Sequence, residues 1–61
     1  MKKYLYYVKK VLDTSELFFE ISKMAHEGHR CISVVYNPNE CLYVVVFEKE
    51  DVLYNNRHHL N

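Results

Sequence analysis

The chain has a single glycine, a single proline and no excess of charge of either sign. Each shortage excludes something. One glycine cannot build the Gly-rich loop that cradles a phosphate, so nucleotide chemistry of that kind is out. Eight basic and eight acidic side chains cancel, which leaves no field to gather nucleic acid or an anionic membrane non-specifically. No apolar run approaches the ~20 residues of a membrane-spanning helix. The Met1-Lys2-Lys3 opening leads into tyrosines instead of a signal-peptide apolar core, so a soluble, non-secreted protein without a membrane partner is expected.

Cysteine is also scarce, and geometry disfavours a disulfide between Cys31 and Cys41. The two flank a turn at Asn37-Pro38-Asn39-Glu40, where proline and asparagine suit the central positions. Symmetric pairing about that turn sets Tyr36 opposite Cys41 and Cys31 opposite Val46. The sulfurs then stand about five residues apart, roughly 17 Å at ~3.3 Å per residue. A disulfide needs Cα atoms within about 7 Å. This matters because 61 residues lie near the lower limit for a domain that folds alone, burying only about 60% of the unfolded surface. Chains this short need a staple, either disulfide, metal or oligomerisation. Oligomerisation leads.

Aromatic residues are plentiful, with six Tyr and three Phe, and order is expected over the first fifty residues. Lys3 to Val11 is rich in Tyr and Val and predicts a strand. Asp13-Thr14-Ser15-Glu16 is a helix start, with Asp13 or Thr14 as the cap. Leu17, Phe18, Ile21, Met24 and Ala25 follow at helical spacing as one apolar stripe. Gly28 ends the helix, since glycine takes the left-handed cap conformation without steric cost. Arg30 to Tyr36 and Cys41 to Phe47 are β-prone runs joined by the turn. The expected fold is α+β: a three-stranded, mainly antiparallel β-α-β-β sheet with one helix on one face. Residues 1–49 form this single domain, and 50–61 are a polar tail, docked or frayed. The last strand, CLYVVVF, lacks polar alternation, as a strand buried on both faces does. Its place is central, antiparallel to the second strand and also to the first; a parallel pairing of the first two strands is the alternative.

Alternation sorts the hairpin into two faces. Cys31, Ser33, Val35, Leu42, Val44 and Val46 are small and aliphatic; Ile32, Val34, Tyr36, Tyr43, Val45 and Phe47, with Arg30 at one end, are larger and aromatic. Close helix-on-sheet packing assigns the helix to the aliphatic face. The aromatic face then needs a cover, because soluble monomers rarely leave such a patch bare. The tail, a second copy and a foreign partner are the three candidates, and a homodimer leads, with Tyr and Phe as interface core and Arg30 at the rim. Phe19, opposite the helix stripe, is a further candidate partner contact.

Side chains with chemistry to offer are few. His26, His29 and Cys31, with His58 or His59, are legitimate zinc ligand types, but their spacing matches no pair of two-ligand knuckles. The expected roles are a surface histidine near a helix C-terminus and a buried cysteine acting as a small hydrophobe. A Cys31–His29 nucleophile and base lacks a third orienting group, and Glu48, Glu50 and Asp51 form a solvated charge run. No catalytic residue, metal ligand or cofactor is assigned, and the chain is not read as an enzyme. An aromatic sheet face of Tyr36, Tyr43 and Phe47 edged by Arg30 also has the outline of a base-stacking platform. Without excess positive charge, nucleic acid ranks below protein as a partner.

Glu27-Gly28-His29-Arg30, then Cys31-Ile32-Ser33-Val34-Val35, and later Tyr43-Val44-Val45-Val46-Phe47-Glu48-Lys49 resemble a group of short bacterial and phage β-α-β-β proteins of unknown function. In those, a Tyr- and Val-rich strand precedes a helix ending in Glu-Gly-Trp-Glu, a strand of the Leu-Val-Ser-Val-Val kind, and an aromatic-ended last strand. The likeness spans roughly residues 4 to 49, and His29 stands where the pattern has Trp. It implies a compact β-α-β-β fold and no activity. Small proteins of this shape in phages and mobile elements often bind and block a host protein. The expected function is therefore a cytoplasmic, homodimeric binding protein that inhibits or modulates a bacterial host protein. A nucleic-acid module is the first alternative and a metal-linked module the second.

Overall fold

A computed structural model describes the backbone of residues 2–59 and the side chains of residues 2–56. The Tyr- and Val-rich opening forms β1 (Tyr4–Val11). Asp13 then turns the chain. Its Oδ1 accepts from the Glu16 N–H at 2.8 Å, and Glu16 returns its carboxylate to the Leu12 N–H at 3.2 Å. Two N–H groups that the chain's turn into the helix would leave unpaired are thereby satisfied.

The helix α1 (Thr14–His26) lays Leu17, Ile21 and Met24 on the sheet. Phe18 and Ala25, expected in the same stripe, face outward, and Phe18 is 70% exposed. A single helix resting on a small sheet touches it along one row, so the i, i+4, i+7 positions are covered and their flanks are not. At its end the Gly28 N–H reaches Ala25 O at 3.0 Å and the His29 N–H reaches Met24 O at 2.9 Å, with Gly28 at φ 87. This is a Schellman cap, and it answers for the glycine.

β2 (Arg30–Asn37) and β3 (Leu42–Glu50) complete an antiparallel sheet of order β1-β3-β2. The fold is α+β with the central strand where its apolar run placed it. A second helix, α2 (Val52–His59), occupies the segment read as a docked or frayed tail. Asp51 caps it, accepting from the Tyr54 N–H at 3.1 Å. Asn55 ties it to the sheet end by accepting from the Lys3 N–H at 2.8 Å and donating to Lys3 O at 3.3 Å. Its Val52 and Leu53 stay exposed, Leu53 at 78%, instead of pressing onto the sheet.

The hairpin closes with Asn37 opposite Leu42 and Tyr36 opposite Tyr43, two residues away from the expected Tyr36–Cys41 pairing. The connection is Pro38 to Cys41, organised by Asn37 Oδ1, which accepts from the N–H groups of Asn39 and Glu40 at 3.0 and 3.3 Å. Both cysteines are free. Cys41 sits at φ 54, a left-handed conformation that an L side chain enters only at a cost of about 1–2 kcal/mol. Cys41→Gly should therefore raise stability, by up to about 1 kcal/mol once the extra freedom of unfolded glycine is subtracted. A higher urea midpoint is the expected readout. A lower one would mean that the thiol's 3.5 Å contact with Pro38 O outweighs the backbone relief.

Ser33 pairs with Val46 but Cys31 pairs with Phe47, so Ile32 is an extra residue, a β-bulge. Strict alternation breaks there. Cys31 turns to the Phe47 side and Arg30 to the Glu48 side, each opposite to the side that unbroken alternation assigned.

The core is Val11, Met24, Val45 and Phe47, with Leu17, Ile21, Cys31 and Tyr43 packed around it. Val45 and Phe47 are 0% exposed. This reverses the expected choice of face: α1 covers the aromatic side, and the aliphatic side is bare. Val45 and Phe47 are thus not available to a partner, and Tyr43 is only partly exposed. The physical reason is area. One helix can cover one face, and burying Phe47 with part of Tyr43 removes more apolar surface from water than burying valines does.

Candidate interaction surface

The bare face is built in rows across the three strands. Lys10, Val44 and Val35 form one row, and Val8, Val46 and Ser33 the next. A third row is Tyr6, Glu48 and Arg30, and Tyr4 and Glu50 lie beyond it. Val8 is 64% and Tyr6 59% exposed, and Val35 is similarly open. Val44 and Val46, on the central strand, are still only half-buried. The middle of this face is apolar and its two ends are polar.

The polar ends hold ion pairs formed within the chain. Lys10 Nζ lies 3.7 Å from Glu40 Oε2 and Lys2 Nζ 3.1 Å from Glu50 Oε1. The Arg30 guanidinium donates to the Glu48 carboxylate, and Tyr6 is the register partner of Glu48 on β1. A shallow depression of about 200 Å³ lies among Lys2, Tyr4, Arg30, Glu48 and Glu50. The hydrogen bond from Arg30, with help from Tyr6 and against partial burial, holds the Glu48 carboxyl below its ordinary range. A depressed carboxyl contributes stability that is full above its unfolded value and is lost as pH falls through the folded one. Glu48→Gln should therefore lower the urea midpoint at neutral pH, with a gap to wild type that holds down to about pH 5 and closes as the pH falls below the ordinary glutamate range. A gap that stays constant below that range would remove the ion pair as its cause.

Two other surfaces compete with this face. β2 is an edge strand with Ile32, Val34, Val35 and Tyr36 all exposed. On the outside of α1, Phe19, Ser22, Lys23, His26 and Glu27 line an open groove of about 350 Å³. Phe19 is exposed there, as its position opposite the helix stripe requires.

No family model, curated protein or solved structure matches this chain. Its functional reading therefore rests on residues and geometry.

Of the aromatic set expected at an interface, Ile32, Val34 and Tyr36 remain accessible along the β2 edge. Tyr36 stacks edge-on against Tyr43, with centroids 5.0 Å apart. Arg30 is on the opposite side of the sheet from Tyr43 and Phe47, turned there by the bulge. The base-stacking platform outlined by Tyr36, Tyr43, Phe47 and Arg30 is therefore not assembled. Among the described residues no three His, Cys, Asp or Glu side chains converge on a metal-sized site. His29 turns its Nδ1 to Met24 O at 3.1 Å and its ring onto the Tyr7 ring, while Cys31 packs against the core. The His58 and His59 side chains lie outside the described residues. No helix among these residues is long and apolar enough to cross a membrane.

Tyr4, Tyr6, Val8, Val44 and Val46 lie outside the binding surface that alternation along the hairpin predicts. One signal pointed to them: a strand reading Leu42-Tyr43-Val44-Val45-Val46-Phe47 asks for a cover on both sides, and α1 supplies one.

Proposed function

We propose that this chain is a non-catalytic binding protein that works as a homodimer and acts on a protein target. Surface area carries the reading. The chain exposes 4903 Å², whereas a compact monomer of its 7.4 kDa exposes about 4200 Å². The surplus of about 700 Å² marks a chain that leaves more surface open than a compact monomer of its mass does. Its radius of gyration, 14.3 Å, likewise exceeds the about 10.5 Å expected for a compact domain of this length.

The target class we favour is a bacterial host protein, met in the cytoplasm and bound in the manner of a small phage or mobile-element inhibitor, as the resemblance of residues 4 to 49 implies. Nucleic acid is less favoured. Lys2, Lys10 and Arg30 on the bare face each already face a carboxylate, and a neutralised face gains little from counterion release.

Light scattering tests the first half of this reading, with an expected mass about twice 7.4 kDa at micromolar concentration. A chain that keeps its monomer mass up to millimolar concentration would end the homodimer reading. Titration with a mixed-sequence oligonucleotide tests the second half. Binding that falls steeply with added salt would replace the protein target by nucleic acid.

A further inference from the structure

We propose that the bare face of the sheet is where two copies of this chain meet, packed face to face with Val8, Val35, Val44 and Val46 at the centre. The inference rests on the homodimer reading and adds the place and the geometry of the contact.

Four observations converge on it. First, β3 lacks polar alternation on either side, yet α1 covers only the side of Val45 and Phe47. A second sheet stacked at ~10 Å supplies the layer that Val44 and Val46 lack. Second, the centre of the face is apolar and open, with Val8 64% and Val35 58% exposed. Third, α2 leaves the face open, since its Val52 and Leu53 are exposed.

Charge is the fourth. Lys10–Glu40, Arg30–Glu48 and Lys2–Glu50 close on themselves at the two ends of the face. Each copy then brings a neutral rim to its twin, and a twofold contact sets no unpaired charge against its own kind. The middle is largely apolar and the edge is polar, which is how interfaces between copies are arranged.

The β2 edge is the rival place for self-association. It presents unpaired backbone groups, but the bulge at Ile32 kinks it, and bulges blunt edges against pairing. Edge pairing would also leave Val44 and Val46 uncovered, because a sheet widened sideways gains no second layer.

Three variants separate the possibilities when solution mass is read beside far-UV circular dichroism. Val8→Lys places a charge at the centre of the face on a residue that is largely exposed in the single chain. Val46→Glu does the same on the central strand. Val34→Lys charges the β2 edge on the other side of the sheet. The expected result is a wild-type dimer, an unchanged dimer for Val34→Lys, and folded monomers for Val8→Lys and Val46→Glu. Their dissociation constants should rise about 100-fold or more, the usual consequence of burying an unpaired charge. Should Val46→Glu unfold, Val8→Lys decides alone. A monomeric wild type overturns the homodimer reading and this inference with it. A wild-type dimer indifferent to Val8→Lys overturns only the choice of face, and a dimer split by Val34→Lys alone moves the contact to the β2 edge.

Discussion

Phe47→Ala is expected to abolish the cooperative unfolding transition at 25 °C. Phe47 is wholly buried in a core whose other buried members are Val11, Met24 and Val45. Truncating such a phenylalanine costs about 3–5 kcal/mol, because the lost transfer energy adds to the cavity left behind. At ~0.05–0.15 kcal/mol per residue, a chain of 61 residues has only about 3–9 kcal/mol to lose. The variant should show shallow, non-sigmoidal urea curves and collapsed amide dispersion in an NMR spectrum. The experiment also decides the orientation of the sheet. Were Phe47 on a partner-facing side, as plain alternation along the hairpin implies, truncation would yield a folded monomer with native dispersion. That outcome would return α1 to the valine side.

Gly28→Ala is the second large effect expected, and its origin is the backbone alone. A Cβ at residue 28 would meet Lys49 Cε at 3.8 Å, an ordinary contact. The strain lies in φ 87, where an L residue costs about 1–2 kcal/mol. At about 4–8 °C per kcal/mol for a small domain, the thermal midpoint should fall by roughly 5–15 °C. Asparagine tolerates this conformation better than alanine, so Gly28→Asn should lose less than Gly28→Ala, and Gly28→Val more. A midpoint unmoved by alanine would mean that the corner between α1 and β2 relaxes to a different cap, with the His29 N–H released from Met24 O.

Much of the architecture is legible in local chemistry. The lone glycine, the Asp13 cap and the Pro38 turn each fix one corner through a conformational preference that needs no tertiary contact. The apolar run in β3 places that strand centrally because its side chains on both faces are apolar, as those of an inner strand are. Faces are another matter. Which side of the sheet α1 covers is a competition between two whole surfaces, Phe47 and Tyr43 against Val44 and Val46, and no short window contains that comparison.

Cys31 shows how two departures from simple alternation and packing can cancel. Unbroken alternation puts it among the valines, and close packing puts the helix over them, so it is expected beneath the helix. It does lie there, partly buried, yet the helix covers the other side, and the bulge turns Cys31 to meet it. The candidate site suffered more than the fold did. Arg30 leaves the aromatic side for the same reason that Cys31 joins it, and the outward surface passes to residues of β1, which alternation within the hairpin does not reach.

The extra residue in β2 also sets how this segment can change over time. Ile32 is largely exposed, and side chains of many kinds would fit its place. Losing the residue altogether would straighten the strand and leave Cys31 opposite Phe47 and Arg30 opposite Glu48, the pairs they already form. A one-codon deletion between Ser33 and Asn37 is different: it would slip the register and turn Arg30 and Cys31 to the wrong sides of the sheet. The gene is therefore free in its length at Ile32 and constrained in it only a residue or two further on.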